Sequence, residues 1–137
     1  RHDAYYAALA LREGGAGYVT DVCVPISELA ECIRQTKIEL ADTKIPAPLF
    51  GHVGDGNFHV VFVIDPTRPD ELEEVRRYNA QIVARALACG GTCTGEHGIG
   101  IGKLDCLESE HGDALDVMRA IKCALDPLNI MNPGKVI

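Results

Sequence analysis

The order of strand-like and helix-like segments predicts an α+β fold, and three observations support it. The 137 residues, 47% hydrophobic and 24% charged, suit one domain with a buried core. Stretches of β-branched residues alternate along the chain with amphipathic helical patterns. Their order is strand, helix, strand, strand, helix, strand, which is that of the ferredoxin-like βαββαβ motif. We expect one domain over residues 1–137, an antiparallel sheet with helices on one face and extra terminal helices.

The first half of the chain predicts three strands and one helix. Residues 17–24 are rich in β-branched side chains, which is typical of a strand. Ser27 is the expected N-cap of a helix that runs to about residue 42. Segments 45–53 and 58–64 predict two further strands, joined by the turn residues Gly-Asp-Gly-Asn at 54–57.

The second half predicts two helices and a short strand. Thr67 and Pro69 mark the expected start of a helix, because proline is favoured at the first helical position. The glycine pair at 90–91 predicts its end. Residues 92–97 predict a short fourth strand, and residues 112–127 predict a third amphipathic helix.

The strand at 58–64 is apolar on both faces. Since side chains alternate along a strand, its even-numbered residues share one face and its odd-numbered residues, from His59 to Val63, share the other. Helices on one face of an open sheet leave the second face uncovered. A helix or another domain must cover it, and we expect a missing domain. An isolated chain would then self-associate through this apolar face.

Charge and cysteine content restrict the partners and the compartment. The net charge of −7 disfavours nucleic acid and anionic membrane, since both would repel the chain. The sequence has no long apolar run and no signal-peptide pattern. The six cysteines are unclustered, which favours free thiols in a reducing compartment. We expect a cytoplasmic location, with a peripheral position on the cytoplasmic side of a membrane as the alternative.

Two histidines flank the predicted turn. If the loop comprises residues 54–57, His52 lies directly opposite His59 on one sheet face, with Cβ atoms about 4.5–5.5 Å apart. That separation allows both imidazoles to bind one divalent ion. The alternative is that each histidine packs separately. A slip of one residue in the strand register would place them on opposite faces.

A second constellation, Gly-Glu-His-Gly, carries Glu96 and His97. One carboxylate and two imidazoles suit zinc, manganese or iron. Glu96 would complete a three-ligand site, which leaves His97 as a proton acceptor. The chain contains its own control, because Glu110 and His111 repeat the Glu-His-Gly pattern in a polar segment where we expect them to be solvated.

Four ordered segments resemble the C-terminal domain of the FAD-linked oxidase family, the vanillyl-alcohol oxidase and p-cresol methylhydroxylase superfamily. They are GYVTDVCVPISELAECI, GHVGDGNFHVVFVIDP, GTCTGEHGIGIGK and LDPLNIMNPGKVI. The nearest branch contains the D-lactate dehydrogenases and the glycolate oxidase flavin subunit. The resemblance implies a cap domain that closes over FAD, which a separate N-terminal domain binds. That domain is absent here, so we expect this chain alone to be inactive.

The resemblance also implies roles for individual residues. It implies that His52, His59 and Glu96 hold a divalent metal, which binds the hydroxyl and carboxylate oxygens of a 2-hydroxy acid. It further implies that His97 takes the hydroxyl proton while a hydride passes to the flavin.

Other positions match the family at its substrate and cofactor sites. Arg1 matches an arginine that binds the substrate carboxylate, and Asn132 and Lys135 match residues near the flavin. Relatives that use dicarboxylates carry a lysine where Val19 stands, which favours a small monocarboxylic substrate. The sequence does not identify the electron acceptor.

Two other classes of function are open. One is a stand-alone module that binds a divalent metal or another ligand without redox chemistry. The other is a metallohydrolase that uses the same three ligands around a water molecule, with His97 as the base.

Overall fold

The computed structural model of the chain describes residues 3–137. The chain forms two compact units, residues 1–96 and residues 97–137. Within the described residues, the first unit contains α1 (Ala4–Leu9), β1 (Ala16–Val19), β2 (Val22–Cys23), α2 (Ile26–Glu39), β3 (Leu49–His52), β4 (Asn57–Ile64) and α3 (Pro69–Ala88). The second unit contains α4 (Leu104–His111) and α5 (Ala114–Leu125). This mixture of helices with an antiparallel sheet confirms the predicted α+β class.

The sheet is built around β4, its longest strand. β3 pairs with one edge of β4, and β1 and β2 pair with the other edge, all antiparallel. Thr92 adds a single antiparallel bridge to Cys23. The strand order therefore follows the predicted motif, but the fourth strand expected over residues 92–97 is reduced to that one bridge.

The first predicted strand is divided into β1 and β2, which keep one register along β4. The break occurs at Thr20, whose hydroxyl oxygen accepts a hydrogen bond from the Val60 N–H at 2.9 Å. A side-chain oxygen thus replaces a backbone carbonyl in the ladder. The strand is interrupted there without changing the faces of the residues that follow.

The helices of the first unit differ slightly from their predicted bounds. α2 begins at Ile26 after Pro25, so the prediction of Ser27 as the N-cap is wrong; its hydroxyl instead donates to Glu28. The helix ends at Glu39 rather than near residue 42. α3 begins at Pro69 as expected, and Gly90 with φ of 77° follows its end.

The face of the sheet next to α2 and α3 forms the main core. Phe62 is fully buried and stacks on Tyr78 of α3, with ring centroids 5.9 Å apart. The helices contribute a row of buried side chains to this layer, namely Leu29, Cys32, Val75, Ile82, Val83 and Ala86. The two amphipathic helices therefore cover the face to which the even-numbered residues of β4 point.

The opposite face carries a second, smaller cluster. Ala8 of α1 packs with Val61 and Val63, and Val19 and Phe50 pack against that group. A helix of this chain therefore covers part of the face, which corrects the expectation that a missing domain alone would do so. All eight residues of β4 are buried as a result.

The second unit is a pair of helices followed by an irregular segment. α5 confirms the predicted third helix, whereas α4 was not predicted. Among the described residues of this unit, the buried apolar side chains are Leu107 of α4 and Leu115 of α5. Asp126 accepts hydrogen bonds from the backbone N–H groups of Ile130 and Met131, both at 2.9 Å. The Lys122 ammonium, with these two N–H groups, holds the pKa of Asp126 below its usual range.

Across residues 3–137, no helix combines the length and the apolar character that crossing a membrane requires.

Candidate metal centre

The two histidines of the predicted pair lie on one face of the sheet, but not directly opposite each other. Phe50 pairs with His59, and His52 pairs with Asn57. The predicted register is therefore wrong by two residues. A slip of two preserves the face of every side chain, so the histidines become diagonal neighbours. Their ring centroids are 6.0 Å apart.

The turn between β3 and β4 explains this shift. One turn of 3-10 helix spans Val53–Asp55, and Gly56 follows in the left-handed conformation with φ of 75°. The connection therefore comprises residues 53–56 rather than 54–57. Gly56 is required here both by its positive φ and because a Cβ would collide with the Val24 carbonyl.

His59 is oriented by a backbone carbonyl. Its Nδ1 lies 3.0 Å from the backbone carbonyl oxygen of Thr20. A carbonyl oxygen can only accept a hydrogen bond, so Nδ1 carries the hydrogen. The His59 side chain is only 5% exposed, and its Nε2 lies 3.0 Å from Glu96 Oε1. A backbone carbonyl that fixes the tautomer of a ligand histidine is typical of metal sites.

Glu96 brings a carboxylate to both imidazoles. Its Oε1 lies 3.0 Å from His59 Nε2 and 3.4 Å from His52 Nε2. Because Nδ1 of His59 carries the hydrogen, its Nε2 directs a lone pair toward the Glu96 carboxylate, and a cation between these two acceptors would bind both. One ligand atom from each of the three residues falls within 4.8 Å of the others.

The donor set fits a divalent metal. Two donor atoms at about 2.1 Å from one ion lie about 3.0–3.4 Å apart when their angle at the ion is about 90–109°. The two nitrogen–oxygen separations at Glu96 match that range. His52 and Glu96 are 37% and 50% exposed in their side chains, which leaves the centre open to a ligand. A cleft of about 380 Å³ adjoins it, lined by Cys23, His52, Asp55, Asn57, Gly95 and Glu96.

Asp21 holds the segment that carries Glu96. This residue lies between β1 and β2 and is 1% exposed. Its Oδ2 accepts from the Thr94 hydroxyl and the Gly95 N–H, both at 2.9 Å. The Glu96 N–H donates to both oxygens, at 3.1 and 3.3 Å. The Asn57 amide donates to Oδ1 at 2.8 Å.

Asn57 is a second buried polar residue beside the histidines. Its amide nitrogen donates to Asp21 and to the Val22 carbonyl, which fixes the orientation of the amide. Its Oδ1 is buried and has no hydrogen-bond partner among the described residues. An unpaired buried acceptor costs about 1–3 kcal/mol, a cost that a bound water or ligand would remove.

Three further predicted residues, His97, Asn132 and Lys135, belong to the second unit, and a fourth lies outside the described residues. His97 follows Glu96 in an exposed bend at the start of the second unit. Asn132 and Lys135 share one turn of that unit, in which the Lys135 N–H donates to the Asn132 carbonyl at 3.2 Å. With Lys122 they line a cavity of about 590 Å³. Arg1 lies outside the described residues.

The repeated Glu-His pair differs from the first one. Glu110 and His111 end α4, with side chains 13% and 34% exposed, so the expectation that both are solvated is wrong for Glu110. His111 Nε2 lies 3.8 Å from Oε1 of its own neighbour Glu110. The setting of Glu96 beside two histidines is therefore not a general property of the Glu-His-Gly pattern.

Asp21 and Asn57 were missed by the sequence analysis. Asn57 was assigned to the turn, where asparagine is common, and it instead begins β4. Asp21 does carry a signal, because aspartate is depleted in strands and stands here among β-branched residues. A charged residue in a strand that is otherwise apolar requires a buried partner.

The fold and this site define an α+β domain with two imidazoles and one carboxylate at the end of its sheet. Residues 1–136 match the family described as "FAD linked oxidases, C-terminal domain". The chain belongs to this family, whose members are the C-terminal parts of larger FAD-linked oxidases. The resemblance seen in the four sequence segments is thereby confirmed.

Curated relatives agree with the family. The chain is 54% identical to "Probable D-lactate dehydrogenase, mitochondrial" of Danio rerio, over 100% of this chain and 28% of the relative. It is 46% identical to the mitochondrial D-lactate dehydrogenase (cytochrome) of Arabidopsis thaliana, over 100% of this chain and 24% of the relative. Glycolate oxidase subunit GlcD of Bacillus subtilis is 42% identical, over 85% of this chain and 25% of the relative. The chain thus spans about a quarter of the length of these relatives.

Proposed function

We propose that this chain is the substrate- and metal-binding domain of an FAD-dependent D-2-hydroxy-acid dehydrogenase of the D-lactate type. The observation that carries the proposal is the convergence of His52, His59 and Glu96 in a member of this family. The whole protein would oxidise a small 2-hydroxy acid to the 2-oxo acid. A separate N-terminal domain would bind FAD, and electrons would pass to a further acceptor.

The three ligands define the place of the hydroxyl group. A divalent ion, when bound there, supplies a Lewis acid that lowers the pKa of an alcohol oxygen. His59 is held rigidly by Thr20, whereas His52 and Glu96 are partly exposed and leave room for a substrate. Zinc and manganese suit this nitrogen–oxygen donor set, and iron is the third candidate.

Proton transfer is assigned to His97. A neutral imidazole is the side chain suited to accept a hydroxyl proton near neutral pH. FAD, which the remaining part of the protein would bind, would supply a hydride acceptor, so the substrate would lose one hydride from its α-carbon and one proton to His97. The product is then the 2-oxo acid, and the atoms and electrons balance.

Two residues bear on the choice of acid. We assign Arg1 to the substrate carboxylate, by its position in the family. Val19 lies in β1 opposite Val61 and contributes no charge to a second carboxylate. A small monocarboxylic acid such as D-lactate or glycolate is therefore the proposed substrate, and Asn132 and Lys135 are assigned to the flavin side.

The test is anaerobic reduction of the flavin in the whole flavoprotein that contains this chain. D-lactate should bleach the visible flavin absorbance, whereas L-lactate should not. His97→Gln should slow the reduction about 10²- to 10⁴-fold, since a positioned proton acceptor contributes that much. His111→Gln is the matched control and should leave the rate unchanged.

Other outcomes would contradict the proposal. A flavin that no 2-hydroxy acid reduces would favour the ligand-binding module, and hydrolysis of an ester or amide without bleaching would favour the metallohydrolase. Equal slowing by His97→Gln and His111→Gln would remove His97 from the reaction.

A further inference from the structure

Asp21 has an unusual place in the first unit. It is a carboxylate that is 1% exposed, and its oxygens accept hydrogen bonds from Asn57, Thr94, Gly95 and Glu96. Burying a carboxylate is costly unless its oxygens are hydrogen-bonded. Each of the neighbours described above donates to it, so an ionised carboxylate, which only accepts, matches its surroundings.

The donors come from two separate parts of the chain. Asn57 begins β4, two residues before His59, whereas Thr94, Gly95 and Glu96 belong to the segment after α3. The Asp21 carboxylate therefore joins β4, the strand that carries His59, to the backbone of Glu96. His59 Nδ1 also lies 3.7 Å from Asp21 Oδ1.

The segment at 94–96 has little other regular support. Thr92 makes the last bridge to the sheet, and residues 93–96 belong to no helix or strand. Glu96 itself has a half-exposed side chain. Three consecutive donors from this segment end on one buried group, which fixes the direction in which the Glu96 side chain leaves the backbone.

We propose that Asp21 is a positioning residue of the metal centre, which it serves by holding the 94–96 backbone so that Glu96 reaches His52 and His59. The inference rests on the proposed function, because it assigns a partner to the same metal ligands. Outer partners of metal ligands typically raise metal affinity about 10- to 100-fold. Asp21 acts through Glu96.

The experiment measures Mn²⁺ and Zn²⁺ affinity of the metal-free 137-residue chain by calorimetric titration, with the Tm of each metal-free variant recorded in parallel. Asp21→Asn keeps the size of the side chain but places an NH₂ donor against another donor. We expect its affinity to fall about 10- to 100-fold. Thr94→Val removes a single hydrogen bond to Asp21 and should weaken binding about 2- to 10-fold.

A matched control separates positioning from general stability. Thr36 is buried in α2, where its hydroxyl donates to the Cys32 carbonyl at 2.8 Å. Thr36→Val should lower the Tm of the metal-free chain without changing its metal affinity. A merely structural Asp21 would give the same pattern as Thr36.

The outcomes are distinct. Wild-type affinity in both Asp21→Asn and Thr94→Val, alongside loss of binding in Glu96→Ala, would overturn the role of Asp21 and leave the metal centre intact. No binding to the wild-type chain would overturn the metal centre itself, and the inference with it. If Asp21→Asn does not fold, Thr94→Val decides: weaker binding supports the inference, and unchanged binding refutes it.

Discussion

At the scale of single residues, the candidate metal site depends on the close packing of the Gly95 backbone against two buried side chains. Gly95 lies against Asp21, and a Cβ built at Gly95 would sit 2.9 Å from Asp21 Oδ1 and collide with the Asn57 amide. The sequence showed a glycine beside Glu96 but not its cause, because the buried pair that excludes a side chain comes from residues distant in the chain. Local patterns predicted the candidate ligands, whereas the packing that orients their side chains depends on the tertiary fold.

Gly95→Ala is therefore expected to displace the Glu96 backbone. Overpacking of this kind costs about 1–3 kcal/mol of unfolding free energy, and metal affinity should fall with it. Urea denaturation and metal titration would measure the two effects. Gly54→Ala is the matched control, since a Cβ there meets nothing within 4 Å. Equal unfolding free energies and equal metal affinities of the two variants would contradict this expectation, because the 95–96 backbone would then accommodate a side chain at no cost.

At the scale of secondary-structure elements, the strand pattern predicted most of the sheet. The period-two alternation correctly placed His52 and His59 on one face, and even a register error of two residues preserved that result. The error itself arose in the turn, where Gly56 rather than Asn57 ends the loop. The turn geometry depends on the left-handed conformation of Gly56. The composition of the turn did not show which of its residues adopts that conformation.

The segment after α1 is tied to α3 and β4 by Arg12. Its guanidinium donates to both oxygens of Glu71, at 2.6 and 3.1 Å, and to the Val63 carbonyl at 3.3 Å. These contacts, with the Asp65 N–H, hold the pKa of the buried Glu71 below its ordinary value of 4.5. This pair therefore links the segment after α1 to the first turn of α3.

Stability should therefore depend on the protonation of Glu71. A lowered pKa means that the native state binds the proton less tightly than the unfolded chain, so the stabilisation is complete above pH 4.5 and is lost as the pH falls through the lowered pKa. Calorimetry below pH 4.5 should show a steeper fall in Tm for the wild type than for Glu71→Gln. Exposed Glu73→Gln should follow the wild type; parallel curves for all three would contradict the account.

At the scale of the whole molecule, the candidate metal site lies in the first compact unit, and the chain spans about a quarter of the length of its relatives. Its second unit exposes a row of apolar side chains on and after α5, including Val117, Ile121, Leu125 and Leu128. The sequence predicted the fold class and the family, and it predicted that His52, His59 and Glu96 lie close together. It did not predict α4, nor α1 as the cover of the second sheet face, because which element covers a face depends on long-range packing.

The most direct test is a metal titration of the metal-free 137-residue chain, comparing the wild type with His52→Ala, Glu96→Ala and the control His111→Ala. Loss of a ligand should cost more than the roughly 10- to 100-fold effect of an outer partner. The account predicts one Mn²⁺ or Zn²⁺ bound per wild-type and His111→Ala chain, and at least about 100-fold weaker binding in the other two. Equal affinity in all four proteins, or no binding to the wild type, would contradict the claim that His52, His59 and Glu96 form one metal centre.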